Sequence, residues 1–128
     1  MIVAGVGFRR SVAADEIVAL VELALERASL ARDALDRLAT IAALAETPAF
    51  MEAALRLNVT AMPVTESALA AAAPHVRTQS ARSIAAHGVG SVAEAAALAA
   101  AGSCACLVIE RIASPAATCA LARLETRP

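Results

Sequence analysis

Basic side chains in two separate stretches of the chain could bind a ligand that carries several carboxylates. They follow the first apolar run and recur in the polar region 75–91, at Arg9, Arg10, His75, Arg77, Arg82 and His87. A guanidinium can form two parallel hydrogen bonds with one carboxylate, and charge-assisted bonds contribute about 1.5–3 kcal/mol each. The pattern therefore predicts recognition of a polycarboxylate where the two stretches meet. For any single arginine the alternative is a solvated side chain at a loop end.

The first stretch, GVGFRRS at residues 5–11, also has glycines at Gly5 and Gly7. Glycines at the end of a strand let backbone N–H groups approach an anion, and a following helix N-terminus adds partial positive charge. A dinucleotide-binding fingerprint would need a third glycine where Arg10 stands, so no cofactor is expected. The alternative is a tight turn in which Ser11 caps the following helix.

A second glycine and serine begin the alanine-rich segment near residue 90. Ser91 and Glu94 have the spacing of a capping box, which would contribute about 0.5–2 kcal/mol and needs no ligand. Gly90 and Ser91 would equally form a seat for an anion at a helix start. Thr78 and Ser80 add hydroxyl donors in the adjacent loop.

Candidate catalytic groups are few. Glu46, Glu94, His75 and His87 could each act as a general base if buried beside a substrate. The three cysteines lie in apolar segments, which favours reduced core thiols over a disulfide framework, and a closed zinc site would need four ligands. They are Cys104, Cys106 and Cys119. We expect no metal.

Composition excludes several classes of partner. The chain has 128 residues, which suits one domain spanning 1–128. Hydrophobic residues make up 59%, but the uncharged stretch 95–109 is interrupted by Gly102 and Ser103 and is shorter than the roughly 20 residues of a membrane span. The first arginines follow the apolar run, the reverse of a secretory signal, so a cytoplasmic protein without a membrane partner is expected. A net charge of −1 and 2% aromatic residues argue against nucleic acid.

Strands and helices alternate along the sequence. Apolar patterning predicts strands at 1–5, 36–44, 59–64, 104–112 and 117–125, and helices at about 13–29, 48–58, 65–73 and 92–101. One more helical turn is expected between Ser80 and Gly88. The short link before residue 117 makes the last two strands an antiparallel hairpin. The predicted fold is α/β, a three-layer α/β/α sandwich with a mixed sheet of about five strands, and ligands of such sheets lie beyond the carboxyl ends of the parallel strands.

Five segments taken in order resemble one known family over nearly the whole chain. They are GVGFRRS (5–11), LATIAALAE (38–46), TQSA (78–81), GVGSVAEAAALAAAG (88–102) and SPAATCALARL (114–124). This combination resembles the CobE/CbiG C-terminal family of cobalamin biosynthesis, and GSVAEAAAL is its most specific part. The resemblance implies a three-layer α/β/α fold and a role in building the corrin ring, whose precorrin intermediates carry many carboxylates. Longer members of the family open the δ-lactone of cobalt-precorrin-5A and release acetaldehyde, whereas this chain is similar to stand-alone members that match only their C-terminal half.

The resemblance also implies a set of binding residues. The first turn would receive a carboxylate, and the complete set is Gly5, Gly7, Arg9, Arg10, Ser11, Thr40, Thr78, Ser80, Gly90 and Ser91. The family's second motif usually runs T-I-D-x-K-x-x-E, but here alanine and leucine replace its acid and lysine, so only Thr40 and Glu46 match. In a hydrolase, Glu46 or Glu94 would position water. The departure favours binding of a corrinoid intermediate over a fully equipped hydrolase.

Two other functions remain open from the sequence. Alanine-rich helices could dock an enzyme of the same pathway, such as a methyltransferase, or a second copy of the chain. A nucleotide-binding domain is the last alternative, because the glycine pattern is incomplete.

Overall fold

The computed structural model describes residues 1–124 and contains a mixed five-stranded sheet between two layers of helices. The strands are β1 (Ile2–Phe8), β2 (Leu35–Ile41), β3 (Thr60–Val64), β4 (Cys106–Ala113) and β5 (Ala117–Arg123). The helices are α1 (Ala14–Arg27), α2 (Pro48–Leu57), α3 (Glu66–Ala72), α4 (Ala81–His87) and α5 (Val92–Ala101). The sheet order is β3-β2-β1-β5-β4, in which β1, β2 and β3 pair in parallel and β5 pairs antiparallel with both β1 and β4. The predicted α/β fold is confirmed.

Both faces of the central strand are buried. Ile2, Ala4 and Val6 of β1 pack in a core with α1 and α2, while Val3 packs in a second core with α3 and α5. A strand covered on both faces has no polar side to present to water. This explains why β1 reads as a continuous apolar run.

The alanine-rich helix α5 approaches β1 closely. All residues from 92 to 98 are buried, and a Cβ added at Gly5 would lie 2.5 Å from the backbone nitrogen of Ala97 and closer still to the carbonyl oxygen of Ala93. β1 continues to Phe8, and Gly5 and Gly7 pair with β5. The predicted turn at Gly5 and Gly7 is therefore wrong, because both glycines lie inside a strand, and at Gly5 the backbone of α5 leaves no room for a side chain.

Two other element boundaries differ from the predictions. β2 ends at Ile41, and residues 42–44 form a 3-10 turn instead of extending the strand. Helix α1 begins after Ala13 without a side-chain cap, so the expected cap from Ser11 is wrong. Ser11 lies instead in an exposed turn closed by the Val12 N–H, which donates to the Arg9 carbonyl at 3.0 Å.

The second half of the chain follows the predictions more closely. The expected helical turn after Ser80 is α4, which ends at Gly88 in the left-handed conformation. The antiparallel hairpin of β4 and β5 is confirmed, although β4 begins at Cys106 and the predicted last residue of β5, 125, lies outside the described residues. Cys119 is buried, which raises the pKa of its thiol to about 12. Cys104 and Cys106 are exposed at the beginning of the edge strand, so the prediction of core thiols is wrong for these two.

Within residues 1–124, no single helix has both the length and the apolarity needed to span a membrane. Helices α4 and α5 have that length and apolarity only when they are taken together, and their axes are bent by 61° at the break between them.

Substitution of Gly5 by alanine should destabilise the fold, because the new methyl group would collide with the backbone of α5. Overpacking of this kind typically costs about 1–3 kcal/mol. Chemical denaturation should show this loss for Gly5→Ala and a smaller one for Gly7→Ala, whose nearest neighbour would be the Thr118 hydroxyl at 3.0 Å. Equal stability of the two variants would contradict the close approach of α5 to β1.

Candidate functional site

A cavity of about 460 Å³ lies where β1 ends, and three segments distant in sequence form its walls. Gly7, Phe8 and Arg9 come from the end of β1. The second wall contains Arg111 and the residues joining β4 to β5, and the third contains α4 together with the start of α5. A volume of this size is typical of sites for small molecules.

The structure brings together the two stretches that the sequence analysis expected to meet. Arg9 shares this cavity with Arg82 and His87 of α4, and also with Ser80 and Ser91. The register of the sheet brings the turn before β5 to the same place, because β5 starts opposite the end of β1, where Phe8 pairs with Ala117. Gly7, Arg9, Ser80 and Ser91 are therefore the predicted binding residues that line the cavity.

The cavity is strongly biased toward positive charge. Arg9, Arg82 and Arg111 line it together with His87, and no aspartate or glutamate of residues 1–124 is among its lining side chains. In a concave surface the fields of like charges add and attract an anion. Arg111 is not among the residues predicted from the sequence because it lies within a predicted strand, although a charged residue in an otherwise apolar strand is a usable signal.

Apolar groups form another part of the cavity. Phe8, Val92 and Ala116 line it, and the ring of Phe8 stacks on that of Phe50 with centroids 6.0 Å apart. An apolar surface beside arginines suits a ligand that has a hydrophobic body and acidic substituents.

The carboxylate of Glu94 holds two of the cavity walls in place. It is fully buried on α5 and accepts hydrogen bonds from the backbone N–H groups of Arg77 at 2.7 Å, Thr78 at 3.0 Å and Arg111 at 2.9 Å. The Thr78 hydroxyl also donates to it. Glu94 thus joins the loop that leads into α4 to the strand that carries Arg111.

These hydrogen bonds determine the charge state of Glu94. Burial alone would raise the pKa of the carboxyl group, but the bonds from the Thr78 hydroxyl and the three backbone N–H groups outweigh it and hold the pKa below the ordinary value of 4.5. Glu94 does not line the cavity, and both of its oxygens are engaged. Glu94 is therefore not positioned to act as the predicted general base.

The predicted capping box forms only in part. The Ser91 hydroxyl accepts a hydrogen bond from the Glu94 N–H at 3.2 Å. The Glu94 carboxylate does not return to the Ser91 N–H, because Arg77, Thr78 and Arg111 take up its oxygens instead.

A second carboxylate, that of Glu16 in the first turn of α1, fixes the turn between β4 and β5. It accepts from the Ser114 hydroxyl and from the Ala116 N–H, the latter at 2.7 Å. These two hydrogen bonds lower the pKa of Glu16, and the one from the Ser114 hydroxyl has the larger effect. The Arg9 N–H donates to the Ala116 carbonyl at 2.9 Å, so this turn stays beside the end of β1.

The remaining residues predicted from the second motif do not line the cavity. Thr40 is fully buried, and its hydroxyl donates to the Val6 carbonyl at 2.7 Å, just beyond the last residue pair of β1 and β2. Glu46 is exposed in the connection between β2 and α2. The two residues that match the motif are thus not brought together at the cavity.

The other predicted residues do not line the cavity. A Cβ at Gly90 would lie 2.6 Å from the Gln79 side-chain oxygen and closer to the Thr78 carbonyl, so this position favours glycine for packing. Arg10 and Ser11 are exposed and do not line the cavity. His75 lies on a separate cavity between α3 and α5, and Arg77 makes an exposed ion pair with Glu110 at 3.6 Å.

Comparison with known proteins identifies the family. Residues 2–122 match the family model described as cobalamin synthesis G C-terminus. The chain belongs to this family. Protein CobE from Sinorhizobium sp is 39% identical over 121 residues, which cover 94% of this chain and 79% of that protein.

Solved structures agree with the assignment to the cobalamin synthesis G C-terminus family. A crystal structure of CobE, a protein from the cobalamin (vitamin B12) biosynthetic pathway, has a TM-score of 0.92 at 32% identity and covers all of this chain and 93% of that one. Cobalamin biosynthesis protein chiG from Agrobacterium tumefaciens has a TM-score of 0.78 at 34% identity, with coverage of 98% and 100%. The chain therefore takes part in cobalamin biosynthesis.

Replacing Glu94 by glutamine should destabilise this member of the family, because an amide presents a donor to N–H groups that are themselves donors. We expect a loss of about 2–3 kcal/mol at neutral pH and a smaller loss for Thr78→Val, which removes only one donor. Because the pKa of Glu94 is lowered on folding, its contribution is present above about pH 4.5 and is lost as the pH falls further. Between neutral pH and about pH 3, the free energy of unfolding should thus fall less steeply with decreasing pH for Glu94→Gln than for the wild type. The same pH dependence in both proteins would contradict the role assigned to this carboxylate.

Proposed function

We propose that this protein binds a polycarboxylate precorrin or corrin intermediate in the cavity and holds it by its acidic side chains. One observation carries the proposal: three arginines from separate segments, Arg9, Arg82 and Arg111, line the same cavity. No acidic side chain of the described residues lines that cavity. The family's place in cobalamin biosynthesis supplies a ligand of matching chemistry.

The shape and polarity of the cavity support an edge of the macrocycle as the bound part. Acidic substituents project from the rim of such a ring, while the ring itself is apolar. The apolar side chains of Phe8 and Val92 would contact the ring, and the arginines would pair with its carboxylates. The N-terminus of α5 at Ser91 and Val92 adds partial positive charge to the same wall.

The arrangement supports holding the intermediate rather than opening its δ-lactone. A general base must lie within hydrogen-bond reach of the water that it activates. Glu46 is exposed elsewhere and Glu94 is engaged by backbone N–H groups. Among the described residues that line the cavity, His87 is the one side chain suited to this role. Because neither predicted acid lines the cavity, we favour a carrier that receives an acid-rich intermediate and passes it to another enzyme of the pathway; a hydrolase would have to use His87 as its base.

An exposed apolar surface favours a second candidate, a module that docks another protein. Met51 and Leu55 lie one turn apart on α2 and are 52% and 80% exposed. If docking alone were the function, Arg9→Ala combined with Arg10→Ala would leave the biological activity intact, and Leu55→Glu would abolish it.

Titration with hydrogenobyrinic acid, a corrin with free carboxylates, tests the binding proposal. We expect a saturable change in its absorption spectrum and a rise in the protein's thermal midpoint. Arg9→Gln and Arg111→Gln should each weaken binding by about tenfold, because each removes one charge-assisted contact. Arg27→Gln, which alters an exposed arginine at the end of α1, is the matched control and should bind as the wild type does.

Two results would contradict the proposal. One is the absence of both the spectral change and the thermal shift at high ligand concentration, and the other is unchanged binding by both cavity variants. An assay for acetaldehyde with a lactone-bearing precorrin separates the two activities: a carrier releases none above the rate without protein, whereas a hydrolase releases it catalytically.

A further inference from the structure

The hydroxyl oxygen of Ser83 on α4 is shielded from solvent and has no hydrogen-bond partner. It is the only buried side-chain nitrogen or oxygen in this condition among residues 1–124. Burying a hydroxyl without a partner costs free energy, so an isolated case in a folded protein calls for a physical explanation. Ser83 belongs to the wall of the cavity described above.

Helix α4 is held mainly at its ends. None of its seven residues is buried, and Ile84 is among the exposed large apolar side chains of the chain. The Ser80 N–H donates to the Gly90 carbonyl at 2.9 Å, so the residues just before and just after α4 are hydrogen-bonded to each other. Because no apolar residue of α4 is buried, a small displacement would disrupt little apolar packing.

The cavity has basic groups from several structural elements. Arg9 directly follows β1 and Arg111 lies in β4, whereas Arg82 and His87 come from α4. A ligand with several carboxylates can therefore pair with cations from more than one element. Pairing of one carboxylate with Arg82 would draw α4 toward the ligand, because α4 carries that charge.

We propose that Ser83 and Arg82 form a second carboxylate-binding subsite, which is completed when α4 shifts onto a ligand already held by Arg9 and Arg111. In that state the Ser83 hydroxyl donates to the ligand and is no longer unpaired. The inference rests on the proposed function and assigns to α4 the part of binding that depends on a conformational change.

The variant Ser83→Ala tests the subsite by two independent measurements. The free protein should be as stable as the wild type or more stable, because the hydroxyl that is removed makes no hydrogen bond. Binding of hydrogenobyrinic acid should weaken by about tenfold, since one hydrogen bond to a charged group is lost. Ser67→Ala, at an exposed serine of α3 that does not line the cavity, is the control and should change neither quantity.

Hydrogen exchange locates the movement. Amides of residues 81–87 should exchange more slowly when the wild type is saturated with hydrogenobyrinic acid, and this protection should be reduced in Ser83→Ala. If the wild type binds and Ser83→Ala binds equally well, the subsite is overturned while the proposed function stands. A clear loss of stability in ligand-free Ser83→Ala would also overturn it, because the hydroxyl would then have a partner. Failure of the wild type to bind overturns the proposed function and the subsite with it.

Discussion

The architecture of the cavity depends on the hydrogen bonds that the buried carboxylate of Glu94 accepts. This carboxylate joins α5 to the loop at Arg77 and Thr78 and to β4 at Arg111. An acid at this place could neutralise the basic cavity, but its oxygens are satisfied by donors inside the protein and it does not reach the cavity surface. In residues 1–124 no carboxylate lies within ion-pair distance of the guanidinium groups of Arg9, Arg82 or Arg111. The positive charge therefore stays available to a ligand.

Sheet topology and close packing place the other walls around this interaction. Because β1 lies between the parallel strand β2 and the antiparallel strand β5, the turn that precedes β5 stands beside the end of β1. Glu16 fixes that turn through Ser114 and Ala116. Gly5 lets α5 pack directly on β1, which brings the beginning of α5 to the same edge. The site is thus formed by elements whose relative positions are set by the core, while α4 remains the least buried part of it.

The fold could be predicted from the sequence because apolar patterning and turn residues act locally. Gly88 ends α4 and Pro48 begins α2, as their conformational preferences require. The site could be predicted only in part. Gly5 was assigned to a ligand-binding turn because a glycine needed for helix packing has the same sequence signature as one that admits an anion. The partners of Glu94 are about 17 residues away in either direction, so its spacing from Ser91 revealed only the local hydrogen bond. The unpaired hydroxyl of Ser83 has no signature in the sequence at all.

The most direct measurement is a crystal structure of the protein with hydrogenobyrinic acid bound. We expect carboxylates of the ligand within hydrogen-bond distance of the guanidinium groups of Arg9 and Arg111, with the ring of the ligand against Phe8. The carboxylate of Glu94 should keep its backbone partners in that complex. A ligand seated on another surface, or a cavity in which Glu94 leaves Arg111 to contact the ligand itself, would contradict the account.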